Sequence, residues 1–209
     1  MNSKVTHINV GNLAENCWFL ANEDTKEAVV IDPGAEPDRI CAAAEKHGWK
    51  ITAILLTHGH IDHMGACESL RTELGVKVYA LTEEEDLLLD AKKNLSAFIE
   101  RKVVTFEPDE LLRDGQELTL AGMKIQVIHT PGHTPGGCSY YVADAGCVFS
   151  GDTLFAESVG RSDFPGGSTS ALVRAVKEKL FLLPDDTLVC PGHGEETTIG
   201  HEKKYNPFV

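Results

Sequence analysis

Four apolar runs in this chain stop abruptly at a turn of small residues that carries His or Asp. They are Leu55-Leu56-Thr57-His58-Gly59-His60, Val127-Ile128-His129-Thr130-Pro131-Gly132-His133, Val148-Phe149-Ser150-Gly151-Asp152 and Leu188-Val189-Cys190-Pro191-Gly192-His193. The runs have the length and residue types of strands. Their polar residues therefore fall at strand ends, where a rigid backbone can hold them to tight geometry and glycine lets the chain turn closely. A fold that satisfies all four must bring these ends to one rim.

The first run is the densest. Ile51 to Leu56 is followed at once by His58, His60, Asp62 and His63. Neutral imidazole and carboxylate are ligands suited to zinc, iron and manganese. His58 and His60 straddle a glycine, so an extended backbone points both rings to the same side and one cation can take both. Asp62 and His63 follow too closely to reach the same ion, which implies that the segment turns there and serves a second one. Gly59 and Asp62 sit poorly in a helix interior and no glutamate follows the first His, which argues against the helical zinc-protease motif. A Pro-Gly-His turn on its own is as readily a plain tight turn. With the others it completes a set of His58, His60, Asp62, His63, His133, Asp152 and His193. Seven ligands suit two divalent cations that share one. A carboxylate can bridge with its two oxygens, and Asp152, on its own Gly-Asp turn, is better placed for this than Asp62. His58, His60 and His133 then complete one site, and Asp62, His63 and His193 the other. Zinc is the first expectation, with iron or manganese as alternatives.

The chain has 209 residues, 42% of them hydrophobic, enough for one full-sized domain with a sizeable core. No linker or composition break divides it, so residues 1–209 read as a single domain. The formal charge of −13 disfavours nucleic acid and anionic membrane as partners, and Lys and Arg come singly or in pairs. The start has no apolar stretch of signal-peptide length and no segment has the length of a membrane span, which gives a cytoplasmic expectation. Six cysteines form no CxxC pair and read as reduced and buried. Strands are expected at 5–10, 17–21, 28–31, 51–56, 76–80, 117–120, 124–128, 138–142, 147–150 and 187–190, with helices at about 37–47, 66–74 and 169–181. Thr82 opens an acidic helix-like stretch in which Thr82 and Glu85 have capping-box spacing, and its charge marks a solvated face. Two β-rich halves with intervening helices fit an α/β fold of four layers, an α/β/β/α sandwich.

The run His58 to His63 matches the His-x-His-x-Asp-His signature of the metallo-β-lactamase superfamily, which the sequence resembles along nearly its whole length. His133, Asp152 and His193 match that family's remaining metal ligands in order and spacing. The resemblance implies two mixed sheets flanked by helices and agrees with the ligand assignment above. Gly151-Asp152-Thr153-Leu154-Phe155 with Gly160-Arg161-Ser162-Asp163-Phe164-Pro165-Gly166-Gly167 resembles the glyoxalase II-like (hydroxyacylglutathione hydrolase-like) proteins, especially short single-domain bacterial ones. The fuller enzymes have a helical C-terminal domain with glutathione contacts, whereas Val209 follows soon after His193.

The function this implies is a binuclear metal-dependent hydrolase whose substrate is a small-molecule thioester such as S-lactoylglutathione, attacked by a hydroxide held between the metals. Asp62 is the expected catalytic residue, orienting the water or accepting its proton. Arg161 is the expected substrate-binding cation, with pairing to Asp163 as the competing reading. An alternative is an oxidoreductase like the persulfide dioxygenases, with a single iron at the first site. His7, His47 and His201 read as surface residues, His129 as a strand end or a support to the ligands, and Lys203 and Tyr205 as a solvated tail. The oligomeric state is left open.

Overall fold

The computed structural model describes residues 2–99 and 103–209. The first sheet contains β1 (Ser3–Val10), β2 (Glu15–Asn22), β3 (Glu27–Ile31), β4 (Lys50–Leu55), β5 (Lys77–Leu81) and β6 (Glu110–Leu112), in that order. Its first three strands pair antiparallel and the remainder parallel. The second sheet is built from β7 (Glu117–Leu120), β8 (Met123–His129), β9 (Cys138–Val142) and β10 (Cys147–Gly151). After the small hairpin β11 (Leu154–Phe155) and β12 (Ser158–Val159), it is completed by β13 (Leu188–Pro191) and β14 (Thr197–Thr198). Its order is β14-β13-β10-β9-β8-β7, with β10 and β13 parallel and the other pairs antiparallel.

Alternation along the strands sends side chains to two different cores. On β2, Cys17, Phe19 and Ala21 face the helix layer, while Trp18 and Leu20 face the other sheet. Between the sheets they meet Leu55, Val127, Tyr140 and Phe149. Outside the first sheet lie α1 (Pro37–Lys46), the single turn α2 (Ile61–Met64) and α3 (Cys67–Leu74). The single turns α4 (Glu85–Leu88) and α5 (Ser96–Ile99) follow later in the chain. Outside the second sheet, α6 (Thr169–Glu178) buries Leu172, Ala175 and Val176, and α7 (Ile199–Tyr205) buries Ile199. The layers are thus α/β/β/α, with two mixed sheets, as expected.

Several local expectations need correction. The Thr82–Glu85 capping box does not form: Thr82 begins a 3-10 turn, and its hydroxyl donates to the Leu112 carbonyl at 2.8 Å. The acidic stretch is not all solvated, since Glu84 is buried. The last long helix ends at Glu178 and continues as a 3-10 turn over Leu180–Leu182. The chain end forms α7, which starts with Thr198 accepting from the His201 N–H; Lys203 and Tyr205 on it are exposed, as expected, and Lys203 makes a surface pair with Asp185. All six cysteines are free, and five are buried. No helix of the described residues is long and apolar enough to cross a membrane.

Phe149 lies edge-on to Trp18, ring centroids 5.9 Å apart, in the middle of the inter-sheet core. Phe149→Ala is expected to cost about 3–5 kcal/mol, read as a fall in the denaturant midpoint at unchanged slope.

Candidate metal centre

The two sheets pack with the C-terminal ends of β4, β10 and β13 on one rim, and the chain leaving each end carries the candidate ligands. Beyond β4, Thr57 is held from two sides. Its N–H and hydroxyl donate to the Asp32 carboxylate at 2.7 and 2.5 Å, and its carbonyl accepts from the Cys138 N–H at 2.8 Å. His58 and His60 follow, and His60, in extended backbone, is the N-cap of the one-turn helix that carries Asp62 and His63. The turn expected after His60 is therefore a turn of helix.

The seven residues named from the sequence lie together. His58, His60 and His133 are buried, with ring centroids 4.7 to 4.8 Å apart and planes nearly perpendicular. Asp62, His63 and His193 make a second group whose ligand atoms lie within 4.8 Å of one another. Asp152 stands between them. Its Oδ1 is 3.4 Å from His63 Nε2, and its Oδ2 is 3.5 Å from His133 Nε2 and 3.8 Å from His193 Nε2. His58 Nε2, His60 Nε2, His63 Nε2 and Asp152 Oδ1 are buried with no hydrogen-bond partner. Unpaired buried polar atoms are costly, and this donor set of imidazole and carboxylate fits divalent cations.

The outer ring nitrogens are fixed in the way that metal-binding imidazoles require. His133 Nδ1 lies 2.7 Å from the Arg161 carbonyl oxygen, and His63 Nδ1 lies 3.0 Å from Asp32 Oδ2. Glu15 is fully buried 3.9 Å from His63 Nδ1, with neither oxygen hydrogen-bonded. The turn that carries His193 is held by Asn16 and Trp18, whose side-chain N–H groups both donate to the Pro191 carbonyl, at 3.0 and 2.9 Å. Gly192 has no room for a side chain, because a Cβ there would lie 2.3 Å from Asp152 Oδ1 and 2.6 Å from His63 Cε1.

Arg161 contributes to the cluster through its backbone. Its guanidinium makes two 2.7 Å hydrogen bonds to Asp163 and lies 3.9 Å from the centre of the Phe164 ring. Phe164 in turn meets His60 edge-on at 5.5 Å. The other histidines stand apart: His7 packs on Trp18, His47 stacks on Trp49, and His201 pairs with Glu157. His129 ends β8, with its Nε2 2.9 Å from the Pro135 carbonyl oxygen.

Asp32, Glu15, Asn16 and Glu84 have no place in the sequence reading. Asp32 carries the signal used elsewhere, because Ile31-Asp32-Pro33-Gly34 is a fifth apolar run ending in a small-residue turn. Glu15 and Glu84 carry none in so acidic a chain.

The two groups differ electrically in the metal-free chain. Burial, reinforced by neighbouring imidazoles, holds His58 well below the ordinary histidine range and His60 down to about 3. Burial also opposes charge on His63, but Asp152, Asp62 and Asp32 outweigh it and raise its pKa well above the usual value. At Asp152 and Asp62 burial is likewise outweighed, chiefly by His63, and both carboxyls are depressed.

The Metallo-beta-lactamase superfamily model matches residues 10–193 of this chain. The chain belongs to that superfamily. Within it, the chain is 40% identical over 201 residues to the probable metallo-hydrolase YqgX of Bacillus subtilis, covering 96% of this chain and 94% of that protein. It is 36% identical over 197 residues to the hydroxyacylglutathione hydrolase GloC of Haemophilus influenzae, covering 93% and 92%. The solved structure of the BLEG-1 B3 metallo-beta-lactamase matches with a TM-score of 0.93 at 39% identity, over 98% of this chain and 99% of that one. TTHA1623 in a di-iron-bound form matches at 0.87 and 38%, over 98% and 100%. ETHE1 from Myxococcus xanthus matches at 0.81 and 30%, over 99% and 84%. This superfamily member therefore has the fold and the His/Asp cluster to hold divalent metal.

Protons compete with metal where the imidazole pKa is raised and not where it is depressed. As pH falls, His63 takes up a proton while His58 and His60 stay neutral, so the Asp62/His63/His193 group is expected to lose its metal at higher pH than the His58/His60/His133 group. Metal content after dialysis at stepwise lower pH should show two separate losses.

Proposed function

We propose that the chain is a binuclear metal-dependent hydrolase of small-molecule thioesters of the S-acylglutathione class, S-lactoylglutathione among them, in the manner of glyoxalase II-like enzymes. The observation that carries this reading is the placing of Asp152, whose two oxygens face His63 on one side and His133 and His193 on the other. One carboxylate thereby addresses both groups, as a two-metal centre with a shared ligand needs. The similarity to GloC supports the substrate class.

His58, His60 and His133 would hold one cation, Asp62, His63 and His193 the other, with Asp152 common to both. Zinc is the first candidate, and iron or manganese are alternatives; the di-iron-bound TTHA1623 keeps iron in view. Bound there, two such cations would supply hydroxide near neutral pH and polarise a carbonyl. Asp62 presents Oδ2 to His193 at 3.3 Å and to His63 at 3.8 Å, and its second oxygen is assigned to orient the attacking water and take its proton. Phe164, beside His60, and Phe155, 6.3 Å from His193 between ring centroids, give the mouth apolar flanks that shield the reacting acyl group from bulk water. A departing thiolate leaves with little help from an acid. Arg161 is the proposed contact for a substrate carboxylate, which must displace Asp163 from the guanidinium.

Protein as purified is expected to contain two metals per chain and to hydrolyse S-lactoylglutathione in preference to lactones and to a β-lactam, the control suggested by similarity to BLEG-1. Asp62→Asn, reconstituted with excess metal to two per chain, is expected to show kcat lower by about 10²–10⁴; near-complete turnover with full metal content removes the role given to Asp62. Two bound metals with no turnover of any thioester or ester overturn the hydrolase reading. The similarity to ETHE1 favours a second reading, a persulfide dioxygenase-like oxidoreductase. One iron per chain with oxygen consumption on a persulfide selects it.

A further inference from the structure

Glu84 is 1% exposed, between the 3-10 turn that follows β5 and the short α4. Its Oε1 accepts the Gly59 N–H at 2.8 Å, and its Oε2 accepts the Gly136 N–H at 2.8 Å. Gly59 separates His58 from His60, and Gly136 closes the turn that begins at His133. One carboxylate thus joins the two segments that supply every member of one imidazole group, and it grips them at Gly59 and Gly136, ahead of the helical turn that carries Asp62 and His63 and away from His193.

The approach is close on both sides. A Cβ on Gly136 would lie 2.1 Å from the Glu84 backbone nitrogen, and one on Gly59 would lie 2.7 Å from Leu88 Cδ2. Both turns are therefore seated directly on the Glu84 segment. Burial pushes the Glu84 carboxyl up to about 7 against the pull of the two amides. An acid held dry at that cost, with each oxygen on a different ligand turn, goes beyond capping a single loop.

We propose that Glu84 is a positioning residue for the His58/His60/His133 group: its carboxylate bridges the two turns, sets the spacing of the three imidazoles in the metal-free chain, and so favours that group for the first cation. The inference rests on reading this group as a metal site.

The test is a Co²⁺ titration of the metal-free full chain against a competing chelator, followed by visible absorption, for wild type, Glu84→Gln, Glu84→Asp and Leu88→Ala. Gln keeps the shape but turns an amide NH₂ toward one backbone donor, and Asp is too short to span both amides. Both should weaken the first cation by about 10- to 100-fold, the range for losing a group that orients metal ligands, with the second affected far less. Leu88→Ala loosens the same packing while leaving the carboxylate, and should weaken the first cation less than Glu84→Gln at equal loss of thermal stability. Hydrogen exchange on the wild-type metal-free chain supplies a readout that needs no variant: the Gly59 and Gly136 amides should be protected to the same degree and open together. Free exchange at either amide, wild-type affinity in Glu84→Gln, or equal weakening of both cations overturns the proposal. If wild type takes up no Co²⁺, the metal reading fails and this proposal with it; if wild type binds two and Glu84→Gln is unchanged, only the role of Glu84 falls.

Discussion

The Asp32 carboxylate is the joint on which the centre depends. It accepts from the Thr57 N–H, the Thr57 hydroxyl and His63 Nδ1, and so ties the end of β3 to the end of β4 and to the helical turn beyond. To do so, Asp32 takes a left-handed backbone conformation with φ 53°, a strained choice for a residue with a side chain. Strain of this kind persists where the surroundings over-determine it. Here three hydrogen bonds to one buried carboxylate do so, and two of them stop Thr57 from relaxing away from the rim.

From that joint the rest follows by packing. The inter-sheet core of Trp18, Leu55, Val127, Tyr140 and Phe149 fixes the two sheets relative to each other. Strand ends from different sheets therefore meet with little freedom. Tyr140 sits in that core and donates its hydroxyl to the Leu56 carbonyl at 2.6 Å, so the same side chain that fills the interior also steers the last residue before the histidine loop. Fold stability and ligand geometry are in this way one property.

Most ligands were legible because an apolar run stops at a turn of small residues just before them, a local pattern with a physical reason behind it, while Asp62 and His63 were legible from their closeness to His58 and His60. The layered architecture was legible because strand and helix periodicities alternate over long segments. Support for the ligands was far less visible. Asn16 and Trp18 act from β2 on the Pro191 carbonyl, a contact created only by the packing of two sheets. Glu84 and Glu15 look like surface charge in a chain of formal charge −13, and only burial distinguishes them. Short strands such as β6 and β14 take their conformation from their neighbours. Arg161 illustrates a different limit: its position near the site was readable, but the Asp163 carboxylate and Phe164 ring that occupy its guanidinium depend on the fold of the loop.

The first imidazole group contributes no negative charge, and the rim as a whole offers only Asp62 and Asp152 as carboxylate ligands among the seven. Two divalent cations bound as proposed would outweigh those two ligands, and with Asp32 and Glu15 close behind His63 the positive charge left over would be small and local in a strongly negative molecule. An anionic substrate of the proposed kind would then be repelled at long range and attracted over the last few ångström. Salt at physiological strength screens charges beyond about 8 Å, so it weakens the repulsion more than the attraction. Encounter with a small anion should therefore quicken as ionic strength rises, the opposite of an enzyme whose whole surface steers its substrate inward.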